Sequence, residues 1–213
     1  MKLPKILIAT GNKGKFKEIT ELLNSVNIDC VGAFDYDLKE PIEDGQTFEE
    51  NSLIKAKYYA NKTGLVALAD DSGLCIEALD GQPGIHSARW AINEKTGQKD
   101  FNIAFDKIVK ELEKKGINYQ KEPVKAYFIC NLTLFNPKNN QHQSFEGRVD
   151  GILTFPAKGE KGFGYDPIFV SNIFGGKTFG EVEYAQKEKV SHRSHAFLKF
   201  QNFFSCKKSK MLF

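Results

Sequence analysis

An apolar run, Leu65-Val66-Ala67-Leu68-Ala69, leads straight into Asp70-Asp71-Ser72-Gly73. Carboxylates at the end of a buried strand suit a hard cation such as Mg2+, which takes oxygen ligands and is commonly held by one or two carboxylates plus substrate phosphates. Neighbours in an extended chain point to opposite sides, so one of the two aspartates faces a metal directly. A purely local reading stands beside this one: Asp70 caps the backbone N–H groups of a turn while Asp71 is solvated. Near the N-terminus, Ile6-Leu7-Ile8 runs into Ala9-Thr10-Gly11-Asn12-Lys13-Gly14-Lys15 and then into a helical pattern. A strand that ends in a glycine-punctuated turn at a helix start offers backbone N–H groups and a partial positive charge to an anion. Lys13 and Lys15 add full charges, and Thr10 and Asn12 add short polar side chains. There is no Walker spacing, so the stretch shares the physics of a P-loop but not its pattern. A strand-to-helix connection with two solvated lysines is the plainer alternative.

Thr47 and Glu50 have the spacing of a capping box, in which Glu50 returns a hydrogen bond to the helix start. Glu50 is also a candidate second metal carboxylate. Asn51 and Lys55 are four apart and share a helix face that could reach phosphate. Phe163-Gly164-Tyr165-Asp166 places two aromatics about a glycine, either as a face for a nucleobase or as core packing. Lys187 follows in a helical segment. Ser191-His192-Arg193 opens a last helix, where Ser191 serves as cap and Arg193 offers a planar fork of donors. His86, His142 and His195 have no metal-ligand spacing and read as structural or surface residues.

These residues need elements to hold them. A buried strand is expected over 5–9, followed by a helix with Phe16, Ile19, Leu22 and Leu23 on one face. Residues 24–46 carry Asp35, Asp37, Glu40, Glu43 and Asp44 with Pro41 and Gly45 and read as an acidic loop. A helix from Thr47 to about Asn61 follows, with Gly64 past its end. The strand over 65–69 is expected to stop at Asp70-Asp71-Ser72-Gly73, and a further strand to run over 74–79. Asp100 caps a helix with Phe101, Ala104, Phe105, Ile108, Val109 and Leu112 inward, ended by Gly116. Residues 124–135 and 141–149 read as a hairpin, 168–170 as a short strand, and Ala196, Phe197, Phe200, Phe203 and Phe204 as the inner face of the last helix. A helical segment after Gly175-Gly176 carries Glu181 and Lys187. Helix-linked strands followed by a hairpin predict an α/β sheet with a second, more antiparallel lobe and a ligand cleft between the lobes.

Composition sets the outer limits. At 213 residues, 41% hydrophobic and 12% aromatic, the chain builds a real core and reads as one domain over 1–213. A net charge of +3 with mixed signs argues against a nucleic-acid coat. No apolar run reaches the roughly 18–20 residues needed to cross a bilayer. Lys2, Pro4 and Lys5 interrupt any signal-peptide core, so a soluble, cytoplasmic protein with no membrane partner is expected. Cys30, Cys75, Cys130 and Cys206 are widely spaced and read as free thiols. Residues from about 205 to 213, with Lys207, Lys208 and Lys210, read as a frayed basic tail.

Taken together and in order, six of these stretches resemble the Ham1-like family of non-standard purine nucleoside triphosphate pyrophosphatases, the inosine/xanthosine triphosphate pyrophosphatases, in its bacterial form. They are Thr10 to Lys15; Thr47-Phe48-Glu49-Glu50-Asn51 with Lys55; Ala69 to Leu74; Pro83-Gly84-Ile85 with Ser87-Ala88-Arg89; Phe163 to Pro167; and Lys187 with Ser191-His192-Arg193. The resemblance implies an elongated mixed β-sheet flanked by helices, in two lobes with a central active-site cleft, and a homodimer. It implies that Thr10, Gly11, Asn12, Lys13, Gly14 and Lys15 hold the triphosphate, that Asp71 is metal ligand and proton acceptor, and that Glu50 assists the Mg2+. Asn51, Lys55 and Ser72 would contact substrate, and Phe163, Gly164, Tyr165, Asp166, Lys187, His192 and Arg193 would surround base and sugar. The reaction implied is attack of water on the α-phosphorus of ITP, dITP or XTP, releasing pyrophosphate. Two competing readings remain open: a non-catalytic nucleotide sensor that kept the cleft, and a nucleic-acid-binding module built on the basic tail. His86, where the family often has tyrosine, Trp90, and the Phe-rich C-terminus depart from the family pattern.

Overall fold

A computed structural model of the chain describes residues 5–205. In chain order the elements are β1 (Ile6–Ala9), α1 (Lys13–Asn24), β2 (Cys30–Gly32), α2 (Phe48–Thr63), β3 (Val66–Ile76), α3 (Ser87–Trp90), α4 (Phe101–Lys114), β4 (Val124–Asn136), β5 (Gln141–Leu153), β6 (Phe169–Ser171), α5 (Tyr184–Lys187) and α6 (His192–Ser205). The strands form a six-stranded sheet in the order β2-β1-β3-β4-β5-β6. It is mixed: β1 pairs in parallel with β2 and with β3, and β5 pairs antiparallel with β6. The expected basic tail, from residue 206 onward, lies outside the described residues.

Contacts divide the chain into two compact units, one of Met1–Asp71, Cys130–Gly147 and Arg193–Phe213, the other of Ser72–Ile129 and Arg148–His192. The first has a core on each face of its strands. Successive side chains of a strand alternate between faces. Accordingly Leu7 and Ala9 of β1 and Ala67 and Ala69 of β3 pack with Ala56, Tyr59 and Ala60 of α2. Ile6, Ile8, Val66 and Leu68 pack instead with Ile19 and Leu23 of α1 and with Ala196, Phe197 and Phe200 of α6. The second unit has a single core in which Ala104, Phe105, Ile108 and Leu112 of α4 meet Leu74, Ile76, Phe128, Val149, Tyr165, Phe169 and Phe179.

Several local rules act as expected. Asn12 caps α1, Thr47 caps α2 and Asp100 caps α4, each side chain accepting N–H groups of the first turn. Gly64 ends α2 in the left-handed conformation, φ 72°, which costs glycine nothing. Four expectations change. The stretch Asp70-Asp71-Ser72-Gly73 is not a turn but the middle of β3, which runs unbroken from Val66 to Ile76. Its carboxylates are paired with cations on both faces, so the strand has no need to break. Beyond Ile76 the chain turns as a short 3₁₀ segment, Glu77–Leu79, where a strand was expected. The acidic stretch contains an unforeseen edge strand, β2, too short at Cys30–Gly32 to show periodicity. Helix α5 covers Tyr184–Lys187 only, and Glu181 sits before it, accepting the N–H of Thr178.

Phe200 is fully buried and its ring lies 5.2 Å from Phe197, 5.6 Å from Phe145 and 4.5 Å from Phe204. Phe200→Ala will therefore cost about 3–5 kcal/mol in urea unfolding, the range for deleting a buried aromatic.

Candidate active site

Asp70 and Asp71 are the two residues of β3 around which the charged side chains of the first unit gather. The alternation of the strand sends them to opposite faces. Asp70 goes to the face of α1 and α6, where it is 1% exposed. Lys15 Nζ stands 3.0 Å from its Oδ1 and Arg193 Nη2 3.1 Å from its Oδ2. Arg193, itself 1% exposed, also donates to Glu18. The Cys130 thiol, 3.8 Å away, adds a weak donor to Asp70. Burial opposes ionisation of Asp70, but Lys15 and Arg193 overcome it and hold its carboxyl far below the usual range. Burial likewise opposes the charge on Arg193, and Glu18 and Asp70 overcome it, so the guanidinium is held more firmly protonated than in water.

Asp71 goes to the face of α2. Lys55 Nζ lies 3.5 Å from its Oδ1 and 2.6 Å from Glu43 Oε2. Burial of Asp71 raises its pKa above the ordinary carboxylate value despite Lys55 and Lys15. Burial works against the Lys55 ammonium, yet Asp71 and Glu43 together push its pKa up. Asp71 Oδ2 is buried and has no hydrogen-bond partner among the described residues. A buried carboxylate oxygen left unsatisfied is costly, and a cation or a donor from a ligand is what it lacks. The Oδ2 of Asp71 is a hard oxygen donor of the kind a divalent cation takes, with water or phosphate oxygens completing its shell, and Glu43 stands beside it across the shared Lys55 ammonium. Among the described residues no group of three or more histidine, cysteine, aspartate or glutamate side chains is preassembled for a metal.

The anion turn is folded on itself. Thr10 Oγ1 accepts the N–H of Asn12, and Asn12 Oδ1 accepts those of Gly14 and Lys15. Gly11, Asn12 and Lys13 are exposed, whereas Lys15 is turned onto Asp70. Asn51 is buried and its Oδ1 accepts the N–H of Gly45, which ties the acidic stretch to α2 ahead of Lys55. Glu50 is exposed, and its carboxylate accepts the N–H of Gln46 at the start of α2. The carboxylate that stands with Lys55 is Glu43, not Glu50. Sequence reasoning passed over Glu43 because six acids in one loop-like stretch carry no period to single one out.

In the second unit, Asp166 is 2% exposed and accepts both the N–H of Phe163 at 2.9 Å and a hydrogen from Lys187 Nζ at 2.6 Å. Lys187 Nζ also lies 5.1 Å from the centre of the Phe163 ring. A Cβ at Gly162 would stand 2.0 Å from Asp166 Oδ2, so glycine there lets the turn close on its carboxylate. Phe163 remains 36% exposed. Tyr165 does not share that exposure. It is buried, with its ring edge-on to Phe101 and its hydroxyl donating to the Ser87 carbonyl, and burial pushes its pKa well above the usual phenol value. His192 is buried and stacks on Phe128 at 4.9 Å. Ser72 is half-buried on β3. Arg193 follows His192 in sequence but belongs to the first unit, where two carboxylates engage its guanidinium. It therefore braces Asp70, where a donor to a purine had been expected.

This is an α/β protein with an anion turn, a strand-borne pair of buried carboxylates and an aromatic turn closed by a lysine and an aspartate. The model of the Ham1 family matches residues 6–203, and the chain belongs to that family. It is 46% identical over 193 residues to a dITP/XTP pyrophosphatase of Zymomonas mobilis, covering 91% of this chain and 88% of the relative. It is 45% identical over 197 residues to a dITP/XTP pyrophosphatase of Caulobacter vibrioides, covering 92% and 96%. The solved structure of a HAM1 protein from Coxiella burnetii superposes with a TM-score of 0.83 at 31% identity, covering 95% of this chain and 99% of that one. No helix among the described residues is long and apolar enough to cross a membrane.

Replacing Arg193 by methionine removes the guanidinium from between two buried carboxylates. Breaking a buried ion pair from one side costs about 3–5 kcal/mol, so Arg193→Met is expected to lose that much in chemical unfolding, whatever it does to activity.

Proposed function

We propose that this protein is a Mg2+-dependent nucleoside triphosphate pyrophosphohydrolase acting on dITP, XTP and ITP and releasing pyrophosphate and the monophosphate. The observation that carries the proposal is Asp71: a buried carboxylate with one oxygen unpartnered among the described residues, held beside Lys55 and Glu43, in a chain similar in sequence to dITP/XTP pyrophosphatases. Asp71 and Glu43 would hold the Mg2+, which supplies charge neutralisation at the phosphates when bound. Thr10 to Lys15 take the triphosphate, Lys13 neutralising its outer charge while the exposed turn offers backbone donors. When substrate binds, the hydrogen bonds from Asn12, Gly14 and Lys15 to Thr10 and Asn12 can be exchanged for phosphate oxygens at little net cost, because each donor keeps an acceptor.

Asp71 orients the attacking water and accepts its proton, a role helped by a pKa raised by burial. Water adds to the α-phosphorus, the bond from the α-phosphorus to the bridging oxygen breaks, and pyrophosphate leaves. Lys55 steadies the charge on Asp71 and keeps it aimed. Ser72 contacts substrate beside it. On the second unit, the exposed face of Phe163 stacks on the base, and Lys187, fixed by Asp166, and His192 meet the base and sugar. A 6-oxo purine accepts at O6 from backbone N–H groups at Gly164 and Tyr165. The 6-amino group of ATP would leave those donors unpaired and is rejected for that reason. The same reading makes the protein a cytoplasmic homodimer without nucleic-acid partners. Light scattering of the purified protein tests this, and a mass of one chain overturns the dimer.

Pyrophosphate release from dITP, ITP, XTP, GTP and ATP, with Mg2+ and with a chelator, tests the activity. dITP, ITP and XTP should turn over only with metal, and ATP poorly, while GTP, which shares the 6-oxo group, reads out discrimination at the 2-position. Asp71→Asn should lower kcat by about 10²–10⁴-fold, the usual weight of a positioned general base; an active Asp71→Asn enzyme removes Asp71 from the mechanism. Phe163→Ala should raise KM by about 5–30-fold with kcat little changed, as loss of one base–aromatic stack of roughly 1–2 kcal/mol requires.

A further inference from the structure

Four buried or half-buried polar side chains of the first unit are not used by the site just described. Ser52 on α2 and Thr133 on β4 are both fully buried, Asn131 is 4% exposed, and Ser144 on β5 is half-buried. Ser52 Oγ stands 2.7 Å from Thr133 Oγ1, and it donates toward Asn131 Oδ1 at 3.0 Å and toward the carbonyl of Glu49 at 2.9 Å. Thr133 Oγ1 in turn lies 2.9 Å from Ser144 Oγ and 3.2 Å from Asn131 Oδ1. One ordering of hydrogens satisfies every hydroxyl: Ser144 donates to Thr133, Thr133 to Ser52, and Ser52 to an acceptor beyond it. Apart from the Lys55–Asp71 pair, the interface between α2 and the sheet is made largely of small or apolar groups, Ala56, Ala60, Ala67, Ala69 and Phe135 among them. Such contacts are non-directional and resist a small axial slide weakly, whereas hydrogen bonds fix both distance and direction.

We propose that the Ser52–Asn131–Thr133–Ser144 cluster is a positioning device that pins the register of α2 on the sheet and thereby sets the reach of Lys55 to Asp71. Ser52 lies three residues before Lys55 on the same buried face of α2. Helix rise is about 1.5 Å per residue, so a slide of one residue would shift the Lys55 backbone by that amount against Asp71 and re-aim the ammonium that now stands 3.5 Å from its carboxylate. The stretch that carries Glu43 is tied to α2 by the Gly45 N–H bond to Asn51 Oδ1. The inference rests on the reading that Lys55 and Asp71 serve catalysis.

Thr133→Val removes the central hydroxyl at constant shape and leaves Ser52 one tie to the sheet, through Asn131, so the fold is retained while the register is held at one point instead of two. Steady-state hydrolysis of dITP with Mg2+ should show kcat down by about tenfold, the scale of a misplaced catalytic contact, with KM within about twofold. Thr133→Ser should restore kcat, and Ser52→Ala combined with Thr133→Val should lose little more than the worse single variant, since both act through one register. Unchanged kcat in Thr133→Val, a loss confined to thermal stability, or failure of Thr133→Ser to restore kcat overturns the proposal. A crystal structure of Thr133→Val decides the geometry independently of turnover. Lys55 Nζ displaced from Asp71 supports the pin, and Lys55 unmoved rejects it, even if the wild-type protein proves not to hydrolyse dITP and the activity alone falls.

Discussion

Two adjacent carboxylates on one buried strand place a demand that most of the first unit is arranged to meet. A β-strand cannot send neighbouring side chains to the same face, so Asp70 and Asp71 enter different layers of the protein and need separate sources of positive charge. On one side α1 and α6 supply Lys15 and Arg193, with Glu18 balancing the guanidinium. On the other, α2 supplies Lys55, with Glu43 balancing the ammonium. The two sets differ in completeness. Asp70 is enclosed by cations and held ionised, whereas Asp71 keeps an oxygen without a hydrogen-bond partner among the described residues and a raised pKa. The enclosed aspartate is the brace, and the incomplete one is where chemistry can enter.

The surrounding elements follow from that division. β1 and β3 lie side by side in parallel, so the anion turn after Ala9 and the aspartates after Ala69 emerge at matching heights; Ala9 and Ala69 are register partners. α1 starts within that turn and brings Lys15 to Asp70, which makes the glycine-punctuated turn and the brace one mechanical piece. α2 carries its charged group on a face that is otherwise small and apolar, and this leaves its register to hydroxyl and amide contacts farther along the same face. In the second unit a comparable economy holds: Asp166 organises the aromatic turn by taking a backbone N–H and Lys187 at once, and burial of Tyr165 leaves Phe163 as the exposed ring.

Period and capping were legible from the chain alone. β1, the three capped helices, the β4–β5 pair and the Phe-rich α6 were all readable because they depend on contacts within a few residues: an alternating or 3.6-residue pattern, a side chain accepting from the next turn, a glycine at a helix end. The set of chemical groups was legible for the same reason, since Thr10 to Lys15 and Asp70-Asp71 are short, contiguous and unusual beside apolar runs. Membership of the family followed from their order along the chain.

Partnership was decided only by the tertiary structure. Nothing local distinguishes Glu43 from Glu40 or Asp44, or says that Glu50 stays at the helix start, because the choice depends on Lys55 arriving from another element. Arg193 looked like a free donor beside His192, and it is the fold, by enclosing Glu18 and Asp70 under α6, that commits it to a brace. Asp70-Asp71-Ser72-Gly73 looked like a turn because two charges inside a strand are unfavourable in isolation. Cations delivered to both faces remove that penalty and let β3 continue. Sequence by itself therefore determined which groups are present and which short elements carry them. Which carboxylate meets which cation, and so which aspartate is left open, is a long-range electrostatic balance that exists only once the layers are packed.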